Sequence, residues 1–283
     1  MATFTNRATL SYNGGSTDSN TVTGTFLETL SVTKNALVSE YGANSQITYV
    51  IGLVNSGSTT FNGLTVSDDL GAYPVGGTTQ YPLTYVDGSL QYYANGVLQP
   101  APTIASTQPL TVNGINVPAG GNAILVYTTA VSGAAPLDID GSIVNTATVS
   151  GGGLPEALTA SETVETADAP ILSITKALFP TSVVENGNIT YTFVIQNSGN
   201  TDAVATDNLV VSDTFDPILD ITSVTLNGVV LTEGTDYTYD PATGEFATVA
   251  SLITVPAATF TQAPDGSFVT DPGEAVLVVN GTL

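Results

Sequence analysis

Over most of its length the chain alternates apolar and polar residues with a period of two, the pattern of half-buried β-strands. Residues two apart share a face, so Leu30, Val32, Lys34 and Ala36 point one way, as do Leu64, Val66, Asp68 and Leu70. Ile143, Asn145, Ala147 and Val149 form a third such set. Each of these apolar faces carries a single polar residue. The runs are short and are punctuated by Asn62-Gly63, Asp87-Gly88, Asn95-Gly96 and Asn227-Gly228, dipeptides that favour tight hairpin turns. No long stretch has helical periodicity. The pattern predicts an all-β chain of immunoglobulin-like β-sandwiches.

The alternation repeats at long range. SVTK at Ser31 to Lys34 returns as SITK at Ser173 to Lys176, and ITYVIGLVNSGS from Ile47 returns as ITYTFVIQNSGN from Ile189. LTVSD ending at Asp68 returns as LVVSD ending at Asp213. Two tandem domains are expected, 30–168 and 169–283, preceded by an arm, 1–29. The second repeat matches the first only as far as DPGEAVLVVNGTL (Asp271 to Leu283), the counterpart of AGGNAILVYTTAV (Ala119 to Val131). The closing IVNTATVS of the first repeat (Ile143 to Ser150) has its match instead in the arm, as FTNRATLS (Phe4 to Ser11). The second domain is therefore expected to be incomplete at its C-terminus, and the arm to serve as a donor strand for another copy, with Phe4, Asn6, Ala8 and Leu10 facing that copy's core.

Charge narrows the partners. The chain has 25 acidic and three basic residues, Arg7, Lys34 and Lys176, for a net charge of -22. Such a surface repels nucleic acid and anionic lipid, and no apolar run is long enough to span a membrane. Acidic loops at Asp138 to Gly141 and Asp240 to Glu245 raise calcium as an alternative, but neither has full calcium-loop spacing, so no metal site and no cofactor are expected. With neither His nor Cys, the usual triads and zinc sites cannot be built, which argues against an enzyme. Tyr49, Tyr127, Tyr191, Tyr237 and Tyr239 read as core and rim, and Asn55-Ser56-Gly57 and Asn197-Ser198-Gly199 as turns.

Taken in order, the SVTK start, the ITY strand with its NSG end, the LTVSD strand and the NTATVS end resemble the conserved-repeat modules of bacterial and archaeal surface proteins. That family is known as the domain of unknown function eleven, and it is related to fimbrial isopeptide-forming domains. The resemblance implies a sandwich of surface or fibre proteins and a Lys-Asn amide crosslink assisted by an acidic residue.

The residues make a separate case for that crosslink. An inward lysine must pair, lose its proton or react. An apolar pocket favours the neutral amine, a competent nucleophile, and a neutral carboxyl that polarises the Asn carbonyl. Lys34, Asp68 as assisting acid and Asn145 form the set in the first repeat. Lys176 and Asp213 repeat it in the second, with Asn6 of another copy as the third member. A buried Lys-Asp ion pair with Asn as a hydrogen-bond partner would give the same sequence. The expected function is a structural subunit of an extracellular fibre on a cell or spore surface, a homopolymer whose surface or host ligand is unknown. The alternative is a fragment of a multidomain cell-wall adhesin.

Overall fold

A computed structural model describes residues 3–25, 29–184 and 186–283. Among them there is no α-helix, and the only helical element is a 3₁₀ turn at Ala205–Asp207. The chain divides into two compact units. One is built from the residues up to Pro136 with Ser142–Glu165 and Pro264–Gly266, the other from Leu137–Gly141, Thr166–Ala263 and Ser267–Leu283.

The arm is a two-stranded hairpin. Strand β1 (Thr3–Asn6) pairs antiparallel with β4 (Val22–Thr25), and β2 (Thr9–Tyr12) with β3 (Gly15–Asp18). Asn13-Gly14 makes the turn, with Gly14 at φ 134°, a conformation that favours glycine. Three residues between β3 and β4 oppose two between β1 and β2, a bulge pinned by Ser19 N–H donating to the Ala8 carbonyl. Residues 4–23 are all exposed. Met1, Ala2 and Phe26 to Glu28, which the expected arm includes, lie outside the described residues.

The first unit packs two six-stranded sheets. One runs Val97–Leu98, Gln91–Ala94, Asn122–Val131, β7 (Gln46–Asn55), β5 (Leu30–Ala36), with Leu83–Tyr85 also on Asn122–Val131. The other runs Thr103–Thr107, Leu110–Val117, β8 (Phe61–Asp68), Ser142–Gly151, Leu158–Thr166, β6 (Glu40–Tyr41). Alternation along β7 buries Ile47, Tyr49, Ile51 and Leu53, while along Ser142–Gly151 it buries Ile143, Asn145, Ala147 and Val149. These inward faces form the core.

The second unit has the same strand order, cut short. Its five-stranded sheet runs Val229–Val230, Asp220–Leu226, Gly273–Thr282, Asn188–Asn197, Leu172–Phe179, strand for strand like the first sheet of the first unit. Its other sheet runs Tyr237–Asp240, Glu245–Thr248, Ser212–Thr214 and stops there. In the first unit β8 pairs next with Ser142–Gly151 and that strand with Leu158–Thr166. Among the described residues the second unit holds no counterpart of either. Its core gathers Tyr191, Phe193, Phe215, Phe246 and Leu277.

Candidate functional site: two lysine-aspartate pairs

In the first unit Lys34 comes from β5 of one sheet, and Asp68 and Asn145 come from adjacent strands of the other; Lys34 and Asp68 meet across the sandwich, and Asn145 is buried in the same core. Alternation places each of them inward. Lys34 Nζ donates to Asp68 Oδ2, with both side chains removed from solvent. Tyr127 Oη donates to the same oxygen at 2.5 Å, and Asp68 Oδ1 accepts from Leu70 N–H at 3.1 Å. The Lys34 ammonium sits 4.8 Å from the centre of the Tyr49 ring, which stacks on Tyr127 at 5.8 Å. Burial pushes the Lys34 amine below the usual lysine range, opposed by the Asp68 charge. Burial likewise pushes the Tyr49 and Tyr127 hydroxyls up, so both remain protonated donors.

Asn145 is the anomaly. It is fully buried, and neither Oδ1 nor Nδ2 has a hydrogen-bond partner, nor does the hydroxyl of Tyr49. The Tyr49 and Tyr127 hydroxyls lie near enough to Asn145 for its amide to favour their ionised forms, yet neither meets hydrogen-bond geometry with it. An orphaned buried polar group costs about 1–3 kcal/mol and is rare in a folded core. By contrast, Asn55 spends its side chain on the carbonyls of Thr59, Val117 and Pro118 and on Gly57 N–H, a fully satisfied turn.

In the second unit Lys176 Nζ donates to Asp213 Oδ2, with Tyr191, Phe193 and Phe215 around the ammonium at 4.5, 5.4 and 5.4 Å. The pair lies open: the Lys176 side chain is 40% exposed, against 0% for Lys34. All of Leu172–Phe179 is exposed, although its counterpart β5 buries Leu30 and Lys34. The difference follows from strand order, because in the first unit Ser142–Gly151 packs over β5. Beside the open pair runs an apolar groove of about 280 Å³ lined by Leu172, Ile174, Ile195, Leu209, Val211 and Ile253. The residue matching Tyr127 in the repeat is Val279, so Asp213 gains no tyrosine hydrogen bond there.

Asn6 and Phe4 are on β1, Leu10 is on β2, and Ala8 is between them, all exposed. Arg7 pairs with Asp18 across the hairpin at 3.1 Å. The reading of the tyrosines as core and rim overlooked the hydroxyl of Tyr127 on Asp68 and the ring of Tyr49 under Lys34. Inward alternation marks both only as core residues; their direct pairing across β7 and Asn122–Val131 comes from the structure. The hairpin of the arm was signalled by Asn13-Gly14. Among the described residues, no group of three acidic side chains gathers to hold a metal ion.

No protein-family model and no curated protein matches the chain. Among solved structures, it is similar to the pilus backbone of Streptococcus pneumoniae, at 10% identity over 88% of this chain and 49% of that one, with a TM-score of 0.36. The chain thus spans about half the length of that protein. A variant of the major pilin subunit of Bacillus cereus is similar at 12% identity over 95% and 73%, with a TM-score of 0.39. A 35 kDa C-terminal fragment of the major pilin of Streptococcus agalactiae is similar at 11% identity over 86% and 91%, with a TM-score of 0.35. Likenesses of this size carry no weight for activity or assembly.

Proposed function

We propose that the chain is a structural subunit of an extracellular fibre, on a cell or spore surface, that polymerises head to tail. The arm (1–29) of one copy fills the second domain (169–283) of the next, while the first domain (30–168) closes on itself. The observation that carries this reading is the contrast between the two lysine-aspartate pairs. The first is sealed by Ser142–Gly151, whereas the second lies open beside an apolar groove that the arm, with the same residue pattern, is suited to cover.

Amide formation fits the sealed pair. Within the Lys34–Asp68 contact, the ammonium proton passes to the carboxylate, giving a neutral amine and a neutral carboxyl. The carboxyl donates to Asn145 Oδ1, and Nζ attacks Cγ. The nitrogen of the side-chain amide then departs as ammonia, taking the proton held by Asp68, while Nζ passes a second proton to the Asp68 carboxylate, which ends as the neutral acid. The C–N bond of the primary amide breaks and one to Lys34 forms, with no outside reagent. Fixed placement in a dry core replaces an enzyme. The orphaned amide of Asn145 supports this reading, since an ion pair with Asn as a satisfied partner would leave no group unpaired. The same step at Lys176 and Asp213, with Asn6 of the docked arm, would make the fibre covalent.

The assembly step is tested by removing the first dozen residues. The shortened protein is expected to stay monomeric or to clump. Long filaments from it in electron micrographs would overturn the proposal.

A further inference from the structure

We infer that the arm docks as an intact two-stranded hairpin, supplying both missing strands, so that its second strand becomes the new edge of the acceptor sheet. The inference rests on the head-to-tail reading and specifies its ligand, the folded Thr3–Thr25 hairpin of a second copy.

Strand order sets the size of the gap. After β8 the first unit adds Ser142–Gly151 and Leu158–Thr166, themselves a hairpin with eight paired positions, and then the two-residue β6. After Ser212–Thr214 the second unit adds none among the described residues. A single donated strand would supply the counterpart of Ser142–Gly151 alone, whereas a hairpin supplies the counterparts of both long strands.

The hairpin has the matching two-faced character. Directly paired residues share a face, which puts Phe4 with Gly24, Asn6 with Val22, Leu10 with Thr17 and Tyr12 with Gly15. The Phe4 ring covers Gly24, where a Cβ would overlap it. Phe4, Leu10, Tyr12 and Val22 are 50–64% exposed, an apolar face open to solvent. The other face is polar throughout: Thr5, Thr9, Ser11, Ser16 and Thr23 with the Arg7–Asp18 pair. Thr9 Oγ1 also donates to Asp18, which shows that Arg7 and Thr9 lie on one side across the break between β1 and β2. The hairpin of Ser142–Gly151 and Leu158–Thr166 divides in a similar way, with Ile143, Ala147, Val149 and Val164 inward and Thr146, Thr148, Ser161 and Thr163 outward, Val144 being the one apolar residue on the outer face.

The first unit also supplies the register. Ala147 sits opposite Asp68 and Val149 opposite Val66. The match of FTNRATLS to IVNTATVS then sets Ala8 opposite Asp213 and Leu10 opposite Val211, with Val22 beside Asn6 on the buried face.

The chain has no cysteine, so a disulfide can be placed at will. Thr5 and Thr23 are directly paired on the polar face. In the double variant Thr5→Cys/Thr23→Cys, oxidation locks the hairpin shut. Filament growth, followed by light scattering and electron microscopy, is expected at the same rate within about twofold in the oxidised and reduced forms. Growth only after reduction would show that the arm must open to a single strand, and would overturn the inference while leaving head-to-tail assembly standing. Absence of filaments from the unaltered chain would overturn that reading and the inference with it. A second pair of variants decides independently of the disulfide. Val22→Asp, on the second strand's apolar face, is expected to slow growth about tenfold or more, and Thr23→Asp on the polar face about twofold or less. Equal tolerance of both would overturn the hairpin.

Discussion

Replacing Asn145 by leucine separates a bonded first unit from an unbonded one by the sign of the stability change. Leucine has the heavy-atom count and branch point of asparagine, and the substitution removes neither partner of the Lys34–Asp68 contact or of the Tyr127 hydrogen bond. In an unbonded unit it removes a buried amide whose two polar atoms have no partner, each costing about 1–3 kcal/mol, so the variant would be more stable. In a bonded unit it removes a crosslink that closes a loop of roughly 110 residues, which the chain-entropy estimate values at about 5 kcal/mol. The expected result is a loss of roughly 3–5 kcal/mol. The denatured state would also expand, raising the denaturant dependence of unfolding. Hydrogen exchange at the slowest β7 amides, measured against denaturant by mass spectrometry, reads the first unit free of the second. A variant more stable than the parent, with unchanged denaturant dependence, would refute the bond.

Three further outcomes are expected. Tyr127→Phe removes one hydrogen bond to Asp68, costs about 2 kcal/mol and slows amide formation during refolding, read as the rate at which one ammonia is lost from the intact mass. Amide formation in the first unit needs the one proton that Lys34 and Asp68 share, because the amine must be neutral while the carboxyl is protonated, so the rate falls once rising pH removes that proton. Since burial lowers the Lys34 value, the fall begins below the ordinary lysine value of 10.5, and a rate still climbing through that value would contradict a buried pair that shares its proton. Asn6→Ala filaments still form but fall apart to monomers in boiling detergent, whereas unaltered filaments give a ladder of multimers; identical ladders from both would remove Asn6 from the crosslink.

Much of the first unit was legible because strand alternation is strictly local. Lys34, Asp68 and Asn145 each interrupt an apolar face, and each is buried. Which side chains then meet was not legible, since that depends on how two sheets face each other. Tyr127 reaches Asp68 from the opposite sheet, and nothing in its own strand distinguishes it from a core tyrosine. In the second unit the same alternation put Leu172, Ile174 and Lys176 on an apolar face, but alternation cannot show whether another strand covers it. The exposed Leu172–Phe179 strand is therefore information that only strand order supplies. The hairpin of the arm depended on one turn dipeptide, Asn13-Gly14, between runs too polar to stand out as strands.

The central claim is that the open pair of one copy receives the arm of the next. It is tested most directly by digesting detergent-resistant multimers and sequencing the branched peptides by mass spectrometry. The expected product is a peptide containing Lys176 joined to one containing Asn6, lighter by one ammonia than the sum of the two, present in multimers and absent from monomers. Multimers that yield only the separate, unmodified Lys176 and Asn6 peptides would contradict it.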